Sequence, residues 1–337
     1  MISKFARSDV AALAGVSEST VSRALNDSSL ITEPIKLKVR EAAQRLGYVP
    51  SRQAALFARK RTNNIGFVVP AYSSFPPFSR SYFPALLDGL ALESDEKGYA
   101  PTIILDKQDH TTEDYSVLVR SRRVDGLLFA VTPADFRPFA GLREAGIPFV
   151  LINNYHQDLN SADALPESGM RKAFSHCYNL GHRRIGYITG DMQYRNAIDR
   201  LEVFNKLSKE FGVETIVEQG DFSKTSGFKG AQRLFSRPGT PTLIMTASDR
   251  AAFGVLEFAA LNKIHIPGDL SVIGYDNLPP VQDIFPLLST VVHPVTALAR
   301  QAARLLIDIL EKRREEPVQE WLDTDFVVRE STAVCSP

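Results

Sequence analysis

Two groups of residues in this chain have the types and the spacing that chemistry needs. The first is Glu18, Ser19, Ser22, Arg23 and Asn26. They fall on the outer side of a short helical segment and are side chains that hydrogen-bond to base edges and phosphates. The second is scattered: Tyr72, Ser73, Asn153, Arg200, Phe222, Ser248 and Asp276 each follow a predicted strand or open the helix after one. Carboxylates, amides and guanidinium groups bind vicinal hydroxyls, and aromatic rings stack on the apolar faces of sugar rings. Catalysis is poorly provided for. There is no G-x-S-x-G, no G-x-x-x-x-G-K and no H-E-x-x-H, and the six histidines show no metal-ligand spacing. His176 and Cys177 are sequence neighbours on a helix, so their side chains diverge. His182 is expected at a helix end or on the surface.

The first group needs a rigid helix pair to present it. Val10, Leu13 and Ala14 share one face of a first helix at i, i+3, i+4 spacing. Gly15 permits a turn, Ser17 is a good N-cap for a second helix, and Val21 and Leu25 form that helix's inner face. Small Ala11 and Ala14 allow close approach. Such a pair with a polar outer face suits a helix-turn-helix, whose second helix lies in the DNA major groove. Spacing alone leaves open an ordinary helical hairpin with a solvated face. A third helix is predicted from Thr32 as N-cap to Leu46, with Ile35, Val39, Ala42, Ala43 and Leu46 facing the pair and Gly47 ending it. Ser51–Lys60 has helical propensity but is too short to be stable alone.

The charge distribution agrees with a nucleic-acid reader. The 337 residues carry 39 Lys/Arg and 39 Asp/Glu. Residues 1–61 hold 11 basic and 5 acidic side chains, a net of +6, which leaves −6 on the remainder. A basic head on an acidic body places phosphate affinity in the head. Cys177 and Cys335 fit neither a metal site nor a disulfide framework, which points to a reducing cytoplasm. No apolar run is long enough to span a membrane, and Met1–Asp9 lacks the apolar centre of a secretory signal.

From Asn64 the pattern alternates between strands and helices. Strands are predicted at 65–70, 101–105, 126–131, 148–152, 184–189, 215–218, 242–246 and 270–274. Helices are predicted at 82–97, 112–122, 134–145, 167–180, 195–211, 224–235 and 248–262. This alternation implies parallel sheets covered by helices on both faces, with ligands beyond the carboxyl ends of the strands.

The wording D-V-A-A-L-A-G-V-S-E-S-T-V-S-R-A-L-N (9–26) and E-A-A-Q-R-L-G-Y-V-P (41–50) closely resembles the lac repressor/gal repressor (LacI) family of bacterial transcriptional regulators. L-G-H-R-R-I-G-Y-I-T-G (180–190), I-P-G-D-L-S-V-I-G-Y-D-N (266–277) and F-V-V-R-E-S-T-A (326–333) extend the resemblance over nearly the whole chain. The resemblance implies an N-terminal all-α helix-turn-helix head (1–50) and a hinge helix or linker (51–62). It further implies an α/β body (63–337) of two doubly wound parallel-sheet subdomains of periplasmic-binding-protein type. These are placed at 63–163 with 291–323, and at 164–290 with 324–337. Glu18, Ser19 and Arg23 then read base edges, Arg23 suiting guanine. Ser8, Thr20, Ser22 and Asn26 bind phosphates, with Ser17, Arg52, Ala54 and Arg59 also on the DNA. In the family a hinge leucine wedges between base pairs from the minor groove. Phe57 occupies that position here, with Leu56 beside it as the alternative wedge.

In the body, Arg200 and Asp276 match residues that bind effector hydroxyls in sugar-responsive members, and Phe222 matches a stacking aromatic. Asn153 stands where an acid is common, and Ser248 where asparagine is common. The function implied is a cytoplasmic, effector-responsive repressor of sugar-utilisation genes. It binds a pseudo-palindromic operator as a homodimer, without cofactor or membrane. The absence of a heptad tail argues for a dimer. The alternative is a sugar-binding module or sugar-processing enzyme with a non-functional head.

Overall fold

The computed structural model describes residues 5–48, 61–70, 76–106, 114–133, 136–279, 281, 285–314 and 317–335. It divides into two compact units, 1–63 and 64–337.

The first unit is a trihelical cluster: α1 (Arg7–Ala14), α2 (Glu18–Leu25) and α3 (Glu33–Leu46). Local chemistry fixes its turns. Gly15 and Gly47 end α1 and α3 with φ of 64° and 61°, a region that side chains with a Cβ resist. The Ser17 hydroxyl accepts from the Thr20 amide at 3.1 Å and so caps α2. Val10, Ala11, Ala14, Val21, Ala24, Val39, Ala42 and Ala43 make the core, with Leu25, Ile35 and Leu46 packed around it. Leu13 departs from expectation and is 48% exposed. At about 100° per residue, Val10, Ala14 and Ala11 span one arc of α1, and Leu13 falls beyond its edge. Lys36 is 6% exposed, its Nζ held by Asp27 at 3.0 Å and Glu33 at 2.8 Å, which ties the loop after α2 to α3.

The second unit holds two six-stranded sheets. The first joins β1 (Asn64–Pro70), β2 (Ala100–Asp106), β3 (Gly126–Ala130), β4 (Phe149–Ile152), β5 (Ser161–Leu165) and β11 (Gln319–Asp323), in the order β11-β5-β4-β3-β1-β2 and wholly parallel. The second joins β6 (Arg184–Ile188), β7 (Glu214–Glu218), β8 (Leu243–Thr246), β9 (Ser271–Asp276), β10 (Ser289–Val292) and β12 (Asp325–Val327), in the order β12-β10-β9-β8-β6-β7. Here the edge strand β12 runs antiparallel to β10, a departure from the all-parallel expectation. The reason is connectivity: β11 runs parallel in the first sheet and only Thr324 separates it from β12, so the chain carries straight on into the second sheet and enters it from the carboxyl ends of its parallel strands.

Helices cover both faces of each sheet. On the first, α4 (Tyr82–Glu96) and α11 (Val295–Leu310) pack on Ile65, Phe67 and Val69, while α5 (Ser116–Arg120) and α6 (Pro138–Glu144) pack on the face bearing Val68. Successive β1 side chains thus enter opposite cores. Five aromatics gather in the second of these, with Phe129 ring centroids 5.2 Å from Tyr115 and 5.4 Å from Phe139. Glu93, fully buried on α4, is held by Arg300 and Arg304 of α11. On the second sheet, α7 (Pro166–Asn179) and α8 (Arg195–Phe211) cover one face, and α9 (Lys224–Phe235) and α10 (Asp249–Leu261) the other. Gly227 and Gly254 bring α9 and α10 into backbone contact. A Cβ on Gly227 would lie 1.9 Å from the Ala251 carbonyl oxygen.

The helix expected at 112–122 is confined to Ser116–Arg120 among the described residues, and that at 134–145 to Pro138–Glu144. His182 is buried rather than superficial. Its ring bridges Thr242 Oγ1 at 2.9 Å and the Ala333 carbonyl at 3.1 Å, pinning the C-terminal segment to the second sheet. The chain passes between sheets at Leu165–Pro166, at Val292–Val295 and at Asp323–Asp325.

Candidate nucleic-acid interface and ligand cleft

In the head, the outer side of α2 carries Glu18, Ser19 and Arg23 exposed, with Ser22 half-buried beside them. Asn26 forms the C-cap of α2, and its amide donates to the Ser22 carbonyl at 2.7 Å. Ser17 Oγ lies 2.8 Å from both Ser19 Oγ and Thr20 Oγ1, so the helix start is a cluster of three hydroxyls. Ser8, on the first turn of α1, is exposed. Glu18 is engaged: Arg7 Nε donates to its carboxylate at 3.1 Å, and both side chains are about half exposed. Such an exposed pair contributes little to stability and can open without large loss. Arg52, Ala54, Phe57 and Arg59, and with them the hinge helix, lie outside the described residues, as do Tyr72 and Ser73.

In the body, the carboxyl ends of both sheets meet at one crevice. Asp163, in the middle of β5, and Asn153, just after β4, come from the first subdomain. Asn196, Asp199 and Arg200 on α8, with Tyr275 on β9, come from the second. The crevice encloses about 200 Å³, part of it open to solvent. Among the described residues, contacts that bridge the subdomains include a backbone β-bridge between Pro133 and Tyr194 and a hydrogen bond from the Ser81 hydroxyl to the Pro279 carbonyl.

Arg200 is the central cation, 3% exposed. Its Nη1 donates to the Ala247 carbonyl at 2.5 Å, and its Nη2 is 3.7 Å from Asp276 Oδ1. Its guanidinium lies 3.7 Å from the Tyr275 ring centre and 5.8 Å from that of Phe222. Asp276 has a buried carboxyl whose pKa is pushed up by desolvation and held down by Arg200. Asp249, behind it, is pushed up by burial and then by Asp276. Asp249 accepts from Thr290 Oγ1 at 2.5 Å and from the Leu278 amide at 3.3 Å, so it anchors the loop that carries Asp276. Asn153 donates to the Tyr82 hydroxyl at 3.1 Å, and its Oδ1 lies 3.1 Å from His293 Nε2. Burial, and then Arg200, hold His293 well below the ordinary imidazole range, so its ring is neutral at pH 7. Burial also raises the Asp163 pKa to about 7, against the pull of the Ala164 amide.

Phe222 lays its ring over Gly190, where a Cβ would sit 2.0 Å from the ring. Asn153, Phe222 and Asp276 all have positive φ, at 56°, 65° and 122°. Such strain persists only where the surroundings enforce it, and it gathers at ligand sites. Ser248 has a structural task. Its hydroxyl caps α10 by accepting from the Ala251 amide at 3.2 Å, and it donates to the Phe222 carbonyl at 3.0 Å. Sequence reasoning brought Asn153, Arg200, Phe222 and Asp276 together here and missed Asp163, Asn196, Asp199, Tyr275 and His293. One signal was available, since an acid in the otherwise apolar stretch S-A-D-A-L is out of place unless it has work to do. Among the described residues no group of three or more His, Cys, Asp or Glu could hold a metal ion, and no helix is long and apolar enough to cross a membrane.

The model for bacterial regulatory proteins of the lacI family matches residues 8–51, and that for a periplasmic binding protein-like domain matches 174–332. The HTH-type transcriptional regulator CelR of Thermobifida fusca is 29% identical over 329 residues, with 96% of each chain covered. The HTH-type transcriptional repressor PurR of Escherichia coli is also 29% identical, over 335 residues and 96% of each chain. The solved CelR–cellobiose complex superposes with a TM-score of 0.74 at 27% identity, over 97% of this chain and 100% of that one. The lac repressor dimer bound to operator and an anti-inducer shares the fold, with a TM-score of 0.82 at 24% identity over 98% and 99% of the two chains.

A trihelical head with a polar recognition helix, on a body whose two parallel sheets open onto one crevice, defines a ligand-responsive transcriptional regulator. Its head matches the model of the lacI family, and over 96% of its length the chain is similar to regulators of that kind. It is a DNA-binding repressor and not an enzyme.

Proposed function

We propose that this protein represses transcription from a pseudo-palindromic operator as a homodimer, and that a sugar in the crevice sets its affinity for DNA. The carrying observation is the solvent face of α2, where Glu18, Ser19 and Arg23 stand exposed on a helix locked by its cap and its two neighbours. Glu18 and Ser19 read base edges and Arg23 takes a guanine through its O6 and N7. Ser8, Ser17, Thr20, Ser22 and Asn26 hold phosphates and set the register of the helix. Residues 1–50 act as the DNA-binding domain and 51–62 as the hinge. There Phe57 enters the minor groove, and Arg52, Ala54 and Arg59 lie along the DNA.

In the body, Tyr72, Ser73, Asn153, Arg200, Phe222 and Asp276 surround the effector, with Ser248 fixing the Phe222 loop. The reading of the effector as a sugar rests on the hydroxyl-binding chemistry of Arg200, Asp276 and Asn153, on the Phe222 ring, and on the cellobiose in the CelR complex. The effector acts through its different affinity for the open and closed arrangements of the two subdomains. The site of action is the cytoplasm, where the operator is.

The test is a binding selection. Full-length protein is offered random-sequence duplex DNA with and without a panel of sugars and nucleobases. A symmetric enriched site with half-sites about one helical turn apart, abolished or created by one sugar, is the expected result. Folded protein that enriches no site under any condition would overturn the regulatory reading. A nucleobase that switches enrichment where no sugar does would overturn the sugar.

A further inference from the structure

Building on the reading of Glu18 as a base contact, we infer that Arg7 is a further specificity-determining residue: with Glu18 it forms one unit that reads a C·G base pair. Arg7 is the first residue of α1 and Glu18 the first residue of α2. Both helix starts are fixed. Asp9 Oδ2 accepts from the Ala6 amide at 2.7 Å just ahead of α1, and the Ser17 hydroxyl caps α2. Val10, Ala11 and Ala14 of α1 pack with Val21 and Ala24 of α2, so one small core holds the two starts together. From these positions Arg7 Nε reaches Glu18 Oε2 at 3.1 Å, with the exposed Ser8 and Ser19 as their sequence neighbours.

The fold gains little from this pair. The two side chains are 46% and 51% exposed, and ion pairs in water contribute little to stability. A DNA surface gains more. Glu18 alone would bring a negative charge into a groove walled by phosphates, and the Arg7 guanidinium offsets that charge. The contact uses one nitrogen of Arg7 and one oxygen of Glu18. Glu18 Oε1 and the two Nη groups of Arg7 have no partner among the described residues, so the unit offers an acceptor and donors side by side. A C·G pair shows the complementary pattern in the major groove, the cytosine N4 donor next to the guanine O6 and N7 acceptors. Glu18 accepts from cytosine N4 while Arg7 donates to the guanine.

Random-sequence selection with the full-length protein tests this, followed by fluorescence anisotropy on the enriched site and on versions changed at each base pair. The parent should prefer C·G at one position of each half-site by about tenfold over any other pair. Glu18→Ala and Arg7→Ala should each remove that preference, leave those at the other positions, and not move the melting temperature. The double variant should bind the selected site no more weakly than Arg7→Ala, because the uncompensated carboxylate is gone as well. Uniform weakening by Arg7→Ala over all sequences, with a shallower salt dependence, would make Arg7 a phosphate contact and overturn the inference. Losses that add in the double variant, a preference that survives Arg7→Ala, or a preferred pair other than C·G would also overturn it and leave Glu18 a base reader. If Glu18→Ala changes no preference, or no site is enriched, the reading of Glu18 falls and takes this inference with it.

Discussion

Replacing Asp163 by Asn tests the electrostatics of the crevice without involving DNA. The Asp163 side chain is 5% exposed, and burial raises its pKa from 3.8 to about 7. Asp199 adds to the rise, while the Ala164 and Tyr155 amides and Arg200 oppose it. A carboxyl whose folded pKa lies above its unfolded value favours folding fully only below the unfolded value. As pH rises from about 4 to about 7 the folded protein must either keep a proton that the unfolded chain has lost or bury a charge, so stability falls. Above 7 the loss is constant. A shift of about three units corresponds to about 4 kcal/mol. The isosteric amide does not titrate, so Asp163→Asn should match the parent near pH 4 and gain on it as pH rises. Between pH 5 and pH 8 the gain is about 3 kcal/mol, or roughly 6 °C in melting temperature for a body of this size. Melting both proteins from pH 4.5 to 8.5 by fluorimetry measures it directly. Parallel pH profiles, or a variant that loses ground as pH rises, would refute the reasoning.

Four further outcomes are expected. Gly227→Ala drives a methyl into the Ala251 backbone and should cost about 1–3 kcal/mol, seen as a fall in melting temperature of several degrees. Gly141→Ala, in a helix with nothing within 4 Å of the new Cβ, should be neutral or gain up to about 1 kcal/mol. Ser17→Ala removes the cap of α2 and should weaken operator binding about fivefold, equivalent to the roughly 1 kcal/mol that such a cap contributes, measured by fluorescence anisotropy. Arg200→Ala should keep operator binding and lose the effector response. Unchanged effector affinity would remove Arg200 from the site.

The body's alternation of apolar runs with 3.6-periodic segments was legible in the sequence, because strands buried on both faces leave uninterrupted apolar words such as I-G-F-V-V-P. Helices Arg195–Phe211 and Lys224–Phe235 start and stop as the pattern predicts, each bounded by a capping serine or a closing glycine. Nothing in the reading singled out α11. Its first turn follows Pro294 without a side-chain cap, and its apolar stripe is wide enough to lie fully within the first subdomain. The site was half legible. Residues that follow strands could be found by position, and so Asn153 and Asp276 were. His293 reaches the same place only through the crossing of the chain between sheets, which local pattern does not encode, while Tyr275 stands one residue before Asp276 on β9. Asp199 lies one residue from Arg200, and its pairing with Arg195 across a helical turn is legible only once α8 is oriented.

The three crossings between the sheets also bear on how the chain is made. Neither subdomain is a continuous length of polypeptide. The edge of the first sheet is completed by β11 and the edge of the second by β12, both within the last 19 residues of the 337. Beyond them, Ser331 Oγ donates to the Val272 carbonyl at 2.6 Å and accepts from the Ser289 amide at 2.8 Å. A ribosome therefore releases almost the entire body before either sheet can close, while the head, finished within the first fifth of the chain, is able to fold early. Because the final strands join distant segments, completion is slow and leaves both sheet edges exposed in the interval. A chain shortened before residue 319 would carry an intact DNA-binding head on a body in which neither half can finish folding.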